Sequence, residues 1–198
     1  MDSTYPVESL PVLRIAFSRQ VCYTGNNIMI EVHIMKPTHI VYVSNTGYTA
    51  RYAALLSEQT GLPALTLTEA RKTLPQGTPV IYMGWLMAGS VKDYTKAAKH
   101  FAVQAVCGVG LGDSGAQDAA ARKACNLPAD VPVFTLQGGM DIGKLQGPYK
   151  FAIKMLTKAM AAKKNRTPGE DRMLSLLQKG GDYVDAKHLA PVLVWLNK

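Results

Sequence analysis

Four apolar runs recur after Met35, and each is followed by a turn and a helical pattern. His39–Val43 reads His-Ile-Val-Tyr-Val, Pro79–Met83 reads Pro-Val-Ile-Tyr-Met, Val103–Gly110 reads Val-Gln-Ala-Val-Cys-Gly-Val-Gly, and Val131–Gln137 reads Val-Pro-Val-Phe-Thr-Leu-Gln. They are largely continuous, rich in β-branched residues and bounded by turn residues. That is the pattern of strands buried on both faces. A weaker run, Ala64–Leu67, adds a fifth strand. Between the runs lie helical patterns. Thr49–Gln59 places Tyr52, Leu55 and Leu56 on one face and meets Gly61 as a stop. A short helix is predicted over Glu69–Leu74, and longer ones over Val91–Phe101 and Ala116–Cys125. Strands and helices alternating at this spacing demand a parallel sheet with helices on both faces.

The chain continues past the fifth strand. Gly138–Gly147 is a glycine-rich loop, and helices are predicted over Pro148–Lys164, Pro168–Lys179 and Asp185–Asn197. With 198 residues, 47% of them hydrophobic, there is material for one well-buried domain. No apolar run approaches the roughly 20 residues of a membrane-spanning helix. Three cysteines with no Cys-x-x-Cys spacing argue for a reducing compartment, so a cytoplasmic location is expected. The net charge of +8 is uneven: eight basic residues fall between Lys144 and Arg172, against Glu170 and Asp171. A basic surface can serve nucleic acid, anionic lipid or an acidic protein. Nothing else in the chain points to nucleic acid, and none is expected.

The turn after the first strong strand is unusual. Ser44-Asn45-Thr46-Gly47-Tyr48-Thr49 holds three serine and threonine hydroxyls around one glycine and no Lys, Arg or His. It opens a helix, where unpaired amides and the positive end of the dipole favour an anion. Gly47 lets the backbone approach a phosphate and adopt positive φ. The missing lysine excludes a P-loop, so the turn suits a single monophosphate rather than a triphosphate. The plainer alternative is an N-cap by one of the hydroxyls.

In this setting the turn resembles the flavodoxin fingerprint, S/T-x-T-G-x-T, whose loop holds the phosphate of FMN. The resemblance covers Met35–Lys198 in element order. It implies a flavodoxin-like three-layer α/β/α sandwich with a five-stranded parallel sheet of order 2-1-3-4-5. FMN then sits at the topological switch point, as in flavodoxin itself. It also implies two further cofactor loops. One is Gly84, Trp85, Leu86, Met87, Ala88 and Gly89, with Trp85 able to stack on a flavin ring. The other is Gly110, Leu111, Gly112 and Asp113, similar to the G-x-G-D of flavodoxins. Two departures stand out. Flavodoxins carry a ring-stacking tyrosine shortly after that aspartate, and Ser114–Ala120 has none. Flavodoxins are also usually acidic, and this chain is basic.

The tail sharpens the resemblance. Gln137-Gly-Gly, Tyr149–Met160, Asp182–Asp185 and a last helix with Trp195 are similar to the flavodoxin-like protoporphyrinogen dehydrogenases. Those proteins are FMN-dependent, work with membrane quinones, and carry an insertion with a basic helix near the last strand. Here the insertion is 138–182. Read as a helix, Lys150, Lys154 and Lys158 form one stripe, while Phe151, Ile153, Met155, Leu156 and Met160 fill the opposite arc. Either this helix lies on an anionic membrane surface, or its apolar arc packs on the sheet.

An FMN-binding oxidoreductase is therefore expected, oxidising protoporphyrinogen or reducing a quinone. The alternative is a non-catalytic electron carrier between redox proteins. Gly110–Gly115 also matches G-x-G-x-x-G, with Asp130 at ribose-contact spacing, but it follows a late strand and lacks a second nucleotide half. Cys107 lies in an apolar strand and reads as core. The four histidines show no metal spacing. No catalytic side chain is assigned, because flavin carries the electron and hydride chemistry and the protein positions it.

Residues 1–34 contain no lysine and show no clean pattern. Two readings stay open. Either they are a real, poorly ordered extension, or translation starts at Met35, since Glu31-Val32 can be encoded GAG-GTN, a bacterial ribosome-binding sequence suitably spaced from the Met35 codon. Mass spectrometry of the endogenous protein should then find Met35 as the first residue. Peptides from 1–34 at full abundance would refute this.

Overall fold

A computed structural model describes residues 17–23, 29–145 and 147–198, those before Met35 by backbone only. The chain divides into two compact units, Met1–Lys36 and Pro37–Lys198. In the first, β1 (Phe17–Tyr23) pairs antiparallel with β2 (Met29–Met35), from Phe17 opposite Met35 to Tyr23 opposite Met29. No strand was expected here. The missed signal is the alternation of Ile30, Val32 and Ile34 with Glu31 and His33. Of the stretch tied to the start-site expectation, residues 1–16 and 24–28 lie outside the described residues.

The second unit is α/β. Its strands are β3 (His39–Val43), β4 (Ala64–Thr66), β5 (Pro79–Met87), β6 (Ser90–Val91), β7 (Ala102–Gly110) and β8 (Val133–Gln137). They alternate with α1 (Tyr48–Thr60), α2 (Leu67–Thr73), α3 (Tyr94–Ala98) and α4 (Asp118–Cys125). The sheet order is β4-β3-β5-β7-β8, with every neighbouring pair parallel. The mostly parallel sheet flanked by helices is as the alternating pattern requires.

The strand count differs from the expected five. β6 is a sixth strand, antiparallel to β5 through Leu86–Val91 and Met87–Ser90. Numbering all six makes the path 2-1-3-5-6. The stretch 84–90, expected as a loop, instead extends β5 and turns back on itself. Ala88 and Gly89 both have positive φ, 50° and 79°, which a tight two-residue hairpin with strand-matched twist requires. Pairing of Val91 also shortens the helix expected over Val91–Phe101 to Tyr94–Ala98.

Successive strand residues point to opposite faces, and both faces are buried. Ile40, Ile81, Met83, Cys107 and Leu136 pack with Tyr52 and Leu56 of α1 and with Leu189 and Val192 near the C-terminus. Val41, Val80, Tyr82 and Val106 pack with Leu67, Tyr94 and Ala121 of α2, α3 and α4. Cys107 is fully buried, and burial pushes its thiol up to about 12, so it remains a neutral core residue. One buried polar junction ties the layers. The Tyr52 hydroxyl donates to the Gln137 carbonyl at 2.5 Å, lies 2.7 Å from His188 Nδ1, and accepts from the Asp185 amide at 3.4 Å. Bonds of this kind contribute about 1 kcal/mol each.

After β8 the chain makes an excursion. β9 (Gly139–Met140) pairs antiparallel with β10 (Gly181–Asp182). Between them run α5 (Gly147–Ala162) and α6 (Pro168–Lys179). Thr167 and Glu170 form a capping box at the start of α6, with Pro168 at its first turn. Lys163–Glu170 and Arg166–Asp171, both 2.6 Å, hold the α5–α6 turn. A small core of Met140, Leu145 and Leu177 gathers Leu111, Ile153, Met160 and Met173. A 3-10 turn (Ala186–Leu189) and α7 (Ala190–Leu196) return to the sheet.

Candidate functional site

The turns after β3, β5 and β7 emerge at one edge of the parallel sheet, at the carboxyl ends of its strands. Ser44–Gly47 leads into α1. Gly47 takes φ +98°, open to glycine and costly for other residues, and stands at the N-cap position with no side-chain cap. Capping therefore does not account for the hydroxyls. Ser44 Oγ accepts from the Gly47 amide at 3.2 Å, which folds the turn. The first helical bond runs from Arg51 to Gly47 at 3.0 Å. Among the described residues no acceptor meets the amides of Tyr48, Thr49 and Ala50. These are the orphan donors of a helix start.

A cavity of about 510 Å³ opens beside this turn. Ser44, Asn45, Thr46, Tyr48 and Thr49 line one end, and Thr49 is almost wholly buried. Trp85, Leu86, Met87, Ala88 and Gly89 line it from the β5–β6 hairpin, and Gly110 and Leu111 from the end of β7. Three separate stretches singled out from the sequence thus meet in one space. Ala88, the non-glycine residue with positive φ in the hairpin, faces the cavity. Such backbone strain tends to collect at functional positions.

Four of the residues named from the sequence lie elsewhere. Gly47 faces a neighbouring cavity on the other side of the turn. Gly84 sits inside β5, where a Cβ would come within 2.7 Å of Val91 Cγ1, so its role is to let β6 close on β5. Gly112 abuts the Gln117 side chain. Asp113 pairs with Arg172 of α6 at 3.1 Å and accepts from Gln137 Nε2 at 3.4 Å. It links the β7 turn to the excursion.

The sequence reading missed the far wall. Met140, Leu145, Tyr149, Ile153, Leu156 and Met173 close the cavity from the excursion. Tyr149 meets Trp85 edge to face, with ring centroids 5.2 Å apart. The helical arc of Ile153 and Leu156 was visible, but its partner was not, because the contact joins residues more than sixty positions apart. The Tyr48 hydroxyl donates to the Gly181 carbonyl at 3.2 Å, and Arg51 pairs with Asp182, so α1 is tied to β10. Burial, then the Asp182 charge, raises the Tyr48 phenol above its usual range and keeps it a donor.

Among the described residues no Asp, Glu, Lys, Arg or His side chain lines this cavity. Its polarity comes from backbone amides, hydroxyls and Asn45 at one end and from Gln117 beside Gly110, and the remainder is largely aliphatic, aromatic or thioether. That combination suits a flat apolar group carrying one anionic end. It offers no general acid or base. Among the described residues no three His, Cys, Asp or Glu side chains gather as a metal site. In the Gly110–Gly115 alternative, the start of α4 is tied to β8. Gln117 N donates to Thr135 Oγ1 at 3.3 Å, and Asp118 Oδ1 accepts from Thr135 N and Oγ1 at 2.7 Å each.

Comparison of the chain with protein-family models, with curated proteins and with solved structures finds no match in any of the three.

Proposed function

We propose that this protein is a flavodoxin-like, FMN-binding oxidoreductase. The observation that carries the reading is the cavity just described. One end is a helix-start turn of free amides and hydroxyls without charge, and the body is an apolar slot with Trp85 and Tyr149. The FMN phosphate is assigned to Ser44–Thr49, where neutral donors and the helix dipole hold an anion. The isoalloxazine ring is assigned to the space between the 85–89 hairpin, Gly110–Leu111 and the excursion. Tyr149 supplies, from α5, an aromatic where flavodoxins have a tyrosine after the aspartate. Bound flavin would supply the hydride and electron transfer. The chain's own residues bind, orient and keep water from the ring.

The substrate is proposed to be a quinone or a tetrapyrrole such as protoporphyrinogen, because a flat apolar molecule fits a wall of Leu145, Ile153, Leu156 and Met173. The alternative, an electron carrier between redox proteins, draws on Met87, which lines the cavity and is 47% exposed at its rim. We further assign α5 to an anionic membrane surface. No side chain of α5 is buried, Phe151 and Met155 are 68% and 52% exposed, and Lys150, Lys154 and Lys158 are exposed beside them. No helix of the described residues is long and apolar enough to cross a membrane, so this contact would be peripheral. A cytoplasmic protein touching the inner face of the membrane accords with it.

The purified protein is expected to be yellow and to release FMN on denaturation. Colourless protein that cannot be reconstituted with FMN would refute both the enzyme and the carrier readings. Turnover of protoporphyrinogen with a quinone acceptor selects the enzyme, and its absence in FMN-loaded protein selects the carrier. Co-sedimentation with anionic vesicles should fall at least tenfold in K150E/K154E/K158E. Unchanged co-sedimentation would reject the membrane assignment.

A further inference from the structure

The Ser44–Thr49 turn divides two cavities, and the second has opposite chemistry. It measures about 800 Å³ and shares Ser44 and Asn45 with the first. Gly47 and Ala50 face it, whereas Thr46, Tyr48 and Thr49 face the neutral slot. Its outer wall, from α2 and α3, carries Arg71, Lys72 and Lys96 against one carboxylate, Asp93. Asp93 is taken by Lys96 at 2.9 Å. Among the described residues neither Arg71 nor Lys72 has a carboxylate partner within salt-bridge distance. Tyr42, Val43 and Leu67 add apolar surface.

We infer that this second cavity binds a nucleoside phosphate next to the phosphate held by the turn. The inference rests on the reading of the turn as a phosphate site. A ligand seated there has two directions open to it. Its ring system enters the neutral slot, and anything beyond its phosphate enters the basic cavity. A guanidinium fork and an ammonium are suited to a further phosphate, and the apolar floor is suited to a base. The nucleoside phosphate has two sources with the same chemistry. It is either the adenylate half of a flavin dinucleotide, continuous with the group on the turn, or a separate nucleotide such as ADP bound beside FMN. The two sources share Arg71 and Lys72 and differ in whether a covalent link crosses the turn at Ser44 and Asn45.

Titration of the flavin-free full chain with FMN, FAD and ADP tests this, with R71E/K72E as the variant. A linked adenylate predicts FAD binding at least tenfold tighter than FMN. A separate nucleotide predicts ADP binding to FMN-loaded protein with FAD no tighter than FMN. In either case the gain should fall at least tenfold in R71E/K72E. Should that variant unfold on thermal melting, R71Q/K72Q takes its place with the same expected loss of preference. FAD no tighter than FMN, together with no ADP binding to FMN-loaded protein, would overturn the inference. So would a preference unchanged by either variant. Failure of both flavins with Arg71-dependent ADP binding would refute the flavin reading and leave the nucleotide site standing. Failure of all three probes would refute both.

Discussion

Burial of the central strands on both faces is the constraint from which the rest follows. β3, β5 and β7 cannot pair in this parallel arrangement unless each crossover passes over a face of the sheet. Ile40 and Val41, Val80 and Ile81, and Tyr82 and Met83 are adjacent residues buried in opposite clusters. Helices must therefore cover both sides, and every strand must deliver its following turn to the same edge. The turn at Ser44–Gly47, the hairpin at Ala88–Gly89 and the end of β7 at Gly110 meet for that reason. Their convergence needs no direct attraction between them.

The excursion between β9 and β10 completes what the edge begins. An open sheet edge would leave the slot walled by the three turns alone. Met140, Leu145, Ile153 and Met173 give it a second apolar side, and the Arg172–Asp113 pair and the Tyr48–Gly181 bond hold that side in place. The proposed flavin site depends on this enclosure, because a water-excluded slot strengthens every interaction with a bound ring and its substrate. The same helix that encloses the slot exposes Phe151 and Met155 to the outside. In the proposed function this gives an apolar substrate a path from a membrane surface to the flavin.

Local signals were the legible part. Four largely continuous apolar runs and the weaker Ala64–Leu67 identified the five parallel strands, and the Ser44–Thr49 turn stood out by composition before any geometry was known. The β5–β6 hairpin was not legible, because Ala88 takes a positive φ that a sequence rule assigns to Gly, Asn or Asp. Gly84 was grouped with the cofactor loop on position alone, and packing against Val91 explains it instead. Asp113 was grouped likewise, and its carboxylate turns to Arg172. Tyr149 was invisible because its role depends on a contact with Trp85 across a long excursion. Distant apolar pairings of this kind have no periodic trace in a sequence.

In the proposed function the charge-free turn recognises a phosphate and the slot recognises the ring attached to it. Comparing the affinity of the flavin-free protein for FMN and for riboflavin tests it most directly, since the two share the ring and differ by the phosphate. FMN is expected to bind tighter by roughly a hundredfold, the scale of two to three good donor contacts to an anion. Equal affinities for FMN and riboflavin would contradict it.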